Sequence, residues 1–148
     1  MSGAVLSVRF RRWTRQRTDV TITFVMEQLS VLLVDDDEDV RFLERSLFEH
    51  DGRFDVVGEA RNGAEAVQLS RTLHPEAVLL DILMPQMDGW EALPLIRRVS
   101  PDTAVVVVSA LGTESKFNDR AVWLGASAYI PKTDLASSPD LVAAACKR

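Results

Sequence analysis

The sequence predicts an α/β domain built on one parallel five-stranded sheet, doubly wound with helices on both faces. Three observations point there. From residue 30 onward, apolar runs alternate with amphipathic stretches, five of each. The runs are continuous in polarity rather than alternating, as strands buried on both faces require. Several of them end on a polar or charged residue, which is where open parallel sheets carry their ligands.

The elements follow in order. "SVLLV" (30–34) is the first strand, and the helix after it places Val40, Leu43, Leu47 and Phe48 at helical spacing. "FDVVGEA" (54–60) is the second strand. The second helix, 63–74, turns Ala66, Val67 and Leu69 to the core and stops at Pro75. "EAVLL" (76–80) runs into Asp81, and a helix from about Asp88 to Val99 contains Pro94, either in its early turns or at a kink. "TAVVVVS" (103–109) is the most apolar strand. A fourth helix, 114–126, is closed by Gly125. "SAYIP" (127–131) is the fifth strand, and the last helix starts with Ser138 as N-cap and Pro139 at its first position.

A chain of 148 residues suits one domain with a substantial core. The single cysteine, Cys146, excludes an intrachain disulfide and fits a reducing cytosol. No apolar run approaches the ~20 residues of a membrane helix. The net charge of −5 divides unevenly, +4 over residues 1–26 and −9 over 27–148. Arg9, Arg11, Arg12, Arg15 and Arg17 make the leader basic, but the apolar stretch after them is short and broken by Asp19, poor material for a secretion signal. The composition also suits an organelle transit peptide, or a tail for nucleic acid or anionic membrane with Phe10 and Trp13 among the arginines. The simpler expectation is a disordered extension or a start assigned too far upstream, because Met26 opens directly into the first strand. Residues 27–148 are expected to be the functional unit, cytoplasmic, without nucleic-acid or membrane contacts of its own.

The strand ends carry the chemistry. The first strand stops at Asp35 and Asp36, the third at Asp81, the fourth at Ser109, and the fifth runs through Pro131 into Lys132. A parallel sheet gathers these ends on one edge, so carboxylates, a hydroxyl and an ammonium converge around a shared cation pocket. Taken singly, each has an ordinary explanation: Asp37 and Asp39 as helix N-terminal acids, Ser109 as a hydroxyl at a strand end, Lys132 as a solvated lysine. Asp81 has no local partner, and the set together outweighs the separate explanations. An EF-hand fails on the letters, since Val40 stands at its glycine and Ser46 at its closing glutamate. A haloacid-dehalogenase type of Mg²⁺ phosphatase would need Thr or Val where Asp39 stands, which leaves it a distant alternative.

"VLLVDDDEDVR", "AVLLDILMPQMDGWEAL", "VVVVSA" and "GASAYIPK" resemble the four signature segments of the receiver domain of two-component response regulators, over residues 29–147. The resemblance implies a flavodoxin-like sheet of strand order 2-1-3-4-5. It implies that Asp81 is the phosphoacceptor and that Asp36, Asp35 and the Leu83 backbone carbonyl share Mg²⁺ with it. Ser109 would bind a phosphoryl oxygen, Lys132 would pair with the phosphoryl charge, and Tyr129 matches the aromatic switch position. The donor would be a sensor histidine kinase or a phosphotransfer protein. Such a domain modifies itself and is not an enzyme with an external substrate. Its output would be a protein in trans, read on the surface of the fourth helix, fifth strand and fifth helix, the face through which a homodimer could also form. Trp123 either belongs to that surface or packs on the sheet. A receiver-like adaptor that works without phosphate is the alternative.

Two departures matter. Thr133 follows Lys132 where many receivers have proline, and a cis bond there would cost about 3 kcal/mol without one. Leu83 and Leu111, two residues beyond Asp81 and Ser109, are apolar where the family's side chains govern access of water to the acyl phosphate, so slow self-dephosphorylation is expected. With Arg148 directly after the last helix, the expectation is a stand-alone receiver or one whose output arm is missing.

Overall fold

The computed structural model describes residues 3–11 and 19–147, with backbone alone up to residue 26. The parallel sheet is built from β3 (Leu29–Val34), β4 (Phe54–Ala60), β5 (Ala77–Asp81), β6 (Ala104–Ser109) and β7 (Ala128–Pro131). Its order is β4-β3-β5-β6-β7, which is 2-1-3-4-5 when these five strands are counted alone. Between them lie α1 (Glu38–Asp51), α2 (Gly63–Leu73), α3 (Gly89–Val99), α4 (Ser115–Trp123) and, after a 3₁₀ turn over Lys132–Ser137, α5 (Ser138–Cys146).

Both sheet faces are covered, which is why the strands read as unbroken apolar runs. Leu32, Val34, Val78, Leu80, Val105 and Val107 pack with Ala92, Leu93 and Ile96 of α3 and with Ala66 and Ala121. On the other face Val31, Leu33, Leu79, Val106, Val108 and Ile130 pack with Phe48 of α1 and Val142 of α5. Successive strand residues thus serve opposite cores.

Local chemistry sets the helix ends. Asp37 caps α1 by accepting from the Asp39 and Val40 amides. Asn62 and Asp88 do the same for α2 and α3. Pro94 lies beyond the first turn of α3, so the Trp90 carbonyl lacks a helical donor. The last helix begins one residue earlier than expected. Ser137, not Ser138, is its N-cap and makes no side-chain cap bond, because the 3₁₀ turn runs straight into α5 and Ser138 Oγ donates back to the Leu135 carbonyl.

The phase of α1 differs from the sequence expectation. Arg41, Glu44 and Phe48 face inward, while Leu43 is 51% exposed and Phe42 71%. Trp123 is 84% exposed and does not pack on the sheet. Where a disordered extension or a start assigned too far upstream was expected, β1 (Gly3–Arg11) and β2 (Asp19–Glu27) pair antiparallel as a separate two-stranded sheet. Period-two apolar spacing and β-branched residues in "AVLSVRF" and "VTITFVM" supply the reason. Residues 1–2 and 12–18 of that leader lie outside the described residues.

Candidate functional site

Strand order reverses between β3 and β5, and the residues predicted from the strand ends meet in the crevice there. Asp35 follows β3 directly, Asp81 closes β5 opposite Val108, and Ser109 is the next residue of β6. Pro131 of β7 pairs with Ser109, which places Lys132 at the same edge. One oxygen from each of Asp35, Asp36 and Asp81 lies within 4.8 Å of the others. Asp35 is fully buried, Asp81 is 2% exposed, and Asp36 opens to solvent.

Short-range contacts hold the pocket open and oriented. Asp35 Oδ1 accepts from the Asp37 amide at 2.9 Å, and the Asp35 carbonyl accepts from Arg41 Nη1 at 2.7 Å. Lys132 Nζ is 2.8 Å from Asp35 Oδ2 and 3.4 Å from Asp81 Oδ1. The loop from Asp81 to α3 closes tightly: the Gly89 amide donates to the Ile82 carbonyl at 2.8 Å. A Cβ on Gly89 would collide with the Asp81 carbonyl oxygen and with Ile82, so the "DG" of "MPQMDG" is needed for close approach.

Burial pushes the Asp81 carboxyl up to about 7, and the negative charge of Asp35 adds to the effect against the pull of Lys132. Burial alone would lower the Lys132 ammonium, but pairing with Asp35 and Asp81 outweighs it and raises the group above its ordinary value. The pocket is therefore short of positive charge. Asp35 Oδ2 and Asp81 Oδ1 have only the Lys132 ammonium beside them, and Asp81 Oδ2 is buried with no partner. Three carboxylates with free lone pairs, close together in a polar crevice, fit a small hard divalent cation.

Ser109 is fully buried, and its hydroxyl accepts from the Leu111 amide at 3.1 Å. Tyr129 donates to the Gly112 carbonyl at 2.8 Å, so the loop between β6 and α4 is tied at both of its predicted switch residues. Leu83 is 53% exposed at the mouth of the loop after Asp81. The Lys132–Thr133 bond is trans, as is every peptide among the described residues. Asp39 is exposed in the first turn of α1.

One group at the pocket escaped sequence reading. Glu44 is 1% exposed, and its Oε2 is buried without a partner. Burial first, and the charges of Asp35 and Asp81 after it, push its carboxyl up to about 9 against Lys132 and Arg41. The signal was available in outline, because Arg41, Glu44 and Phe48 share helical spacing. Charged residues on an amphipathic helix are ordinarily assigned to its wet face, however.

Comparison with known proteins agrees with this geometry. Residues 31–144 match the family model of the response regulator receiver domain. The chain is 39% identical over 102 residues to the chemotaxis protein CheY of Halobacterium salinarum, covering 69% of this chain and 82% of that one. It is 39% identical over 104 residues, 70% of its length, to a Pseudomonas aeruginosa protein named as a transcriptional regulator, and spans about half (49%) of that relative. The crystal structure of a CheX–CheY–BeF3–Mg²⁺ complex from Borrelia burgdorferi superposes with a TM-score of 0.75 at 30% identity, covering 81% of this chain and 90% of that one. Among the described residues no helix is long and apolar enough to cross a membrane. With its five-stranded sheet, its acidic pocket of Asp35, Asp36 and Asp81 and its facing Lys132, this chain belongs to the response regulator receiver domain family, a signalling module rather than a conventional enzyme.

Proposed function

We propose that this receiver takes a phosphoryl group onto Asp81 from a phosphohistidine on a sensor histidine kinase or phosphotransfer protein in the cytoplasm. The observation that carries this reading is the buried Asp81 carboxylate, one oxygen facing Lys132 and the other without a partner, beside two further carboxylates. Mg²⁺ would be held by Asp35, Asp36, Asp81 and the Leu83 carbonyl, and when bound it supplies charge neutralisation for the carboxylates and the incoming phosphoryl oxygens.

The chain's own residues do the rest. An Asp81 oxygen forms the bond to phosphorus as the phosphorus–nitrogen bond of the donor breaks and its electron pair leaves with the imidazole. Lys132, already paired with Asp35 and Asp81, is within reach of the new dianion and offsets its charge. The Ser109 hydroxyl, which accepts from the Leu111 amide, donates its own proton to a phosphoryl oxygen and draws the loop before α4 inward. Tyr129 then loses its anchor at Gly112 and changes position, altering the α4, β7 and α5 surface that a partner protein or a second receiver reads. Trp123 offers that surface a large exposed apolar group.

Treatment with acetyl phosphate and Mg²⁺ tests this by intact mass. The wild type gains one phosphoryl group, and Asp81→Asn gains none. A wild type that takes up no phosphate, with Asp81→Asn retaining activity in cells, would instead establish the phosphate-independent adaptor.

A further inference from the structure

The two-stranded ribbon ahead of the receiver sorts its residues by face. In the β1–β2 register, Ala4, Leu6, Val8 and Phe10 stand opposite Met26, Phe24, Ile22 and Val20. Residues directly opposite in an antiparallel pair share one face, and alternate positions share the other. One face therefore holds eight apolar residues and nothing else. The other collects Ser7, Arg9, Arg11, Asp19, Thr21 and Thr23 among its members, with Arg11 opposite Asp19. A lone two-stranded ribbon is marginal in water unless its apolar face is covered.

The receiver offers no open sheet face to cover it. Both faces of the five-stranded sheet are already filled by helices packed onto the two apolar cores. A matching surface of the same length and apolar character exists on a second copy of the chain. Nine residues per strand give a ribbon ~30 Å long. Two such faces stacked together would bury on the order of 1,200 Å², above the ~1,000 Å² that a specific interface needs. We propose that two copies of this chain associate through this face, ribbon against ribbon about a twofold axis, independently of phosphorylation at Asp81. This contact is separate from the α4, β7 and α5 face.

The test is the mass of the full chain in solution by light scattering on a sizing column, without phosphodonor. The expected species has twice the 16.5 kDa chain mass. Leu6→Glu and Phe24→Glu, each placing a carboxylate in the stacked face, should weaken self-association by roughly 100-fold or more and return the chain to 16.5 kDa. Ser7→Glu and Thr23→Glu, on the opposite face, should leave the dimer in place. Circular dichroism and acetyl phosphate labelling confirm that each variant keeps its receiver fold. A monomeric wild type, a dimer that survives both Leu6→Glu and Phe24→Glu, or equal disruption by the opposite-face variants would each overturn the proposal.

Discussion

Replacing Glu44 with methionine should stabilise this protein, although the change removes a charged residue close to its functional pocket. Glu44 is 1% exposed, and its carboxyl is pushed from 4.5 to about 9. Between those values the folded chain keeps a proton on Glu44 that the unfolded chain releases, so the folded state loses stability as pH rises through this window. Below 4.5 both states are protonated and the penalty vanishes; above about 9 it is complete. At pH 7 the penalty is about 3 kcal/mol, and at pH 5 it is under about 1 kcal/mol. Methionine has nearly the same volume and no proton to gain, so it avoids the penalty and the cavity that a smaller residue would leave. Urea denaturation of wild type and Glu44→Met, at pH 5, 7 and 8 without divalent ions, measures the gap directly. It should widen with pH, with an increase in Tm of roughly 6–12 °C at pH 7. Glu44→Gln should also flatten the pH dependence but gain less, because its buried amide brings unpaired donors. A gap that stays constant with pH, or a methionine variant less stable at every pH, would show that Glu44 is ionised and paired in the folded protein and would refute the reasoning.

Other outcomes follow from the same geometry. Since Asp81 sits at about 7 and must lose its proton to hold a cation, apparent Mg²⁺ affinity by calorimetry should fall about tenfold per unit below pH 7 and level off above it. Asp81→Asn should remove most of that slope. Gly89→Ala should destabilise the fold by several kcal/mol and weaken Mg²⁺ binding, because the new methyl meets the Asp81 carbonyl and Ile82; chemical denaturation with calorimetry checks both. Tyr129→Phe removes the bond to the Gly112 carbonyl, which should cost about 1 kcal/mol and speed amide exchange over residues 110–114 without abolishing phosphorylation. Leu83→Asn, at an exposed position beside the pocket, should shorten the life of phosphorylated protein followed on a phosphate-affinity gel. An unchanged or longer lifetime would remove the proposed role of that apolar residue.

Much of the fold was legible because parallel sheets impose two demands that show in the letters. Strands covered on both faces must be apolar throughout, and the sheet edge must gather the residues that follow them. "TAVVVVS" and "AVLLD" satisfy both, which is how Asp81 and Ser109 could be placed beside Asp35 and Lys132 without coordinates. Helix starts were legible to within a residue: Asp37, expected as a helix N-terminal acid, caps α1, and Asp88, the expected start of the third helix, caps α3. Ser138 was misplaced by one residue because the backbone around it belongs to a 3₁₀ turn that side-chain preferences do not reveal.

By itself, then, the sequence determined the alternation of elements and the edge on which Asp35, Asp36, Asp81 and Lys132 gather. Spacing and polarity are local properties, and they suffice for that. Only tertiary structure decided the rotation of α1 and, with it, the burial of Glu44. The Arg41 bond to the Asp35 carbonyl and the packing of Phe48 beneath the sheet turn this helix, leaving Leu43 in water and a carboxyl inside. A charge reveals its cost only when the groups that surround it, brought from distant strands, are known.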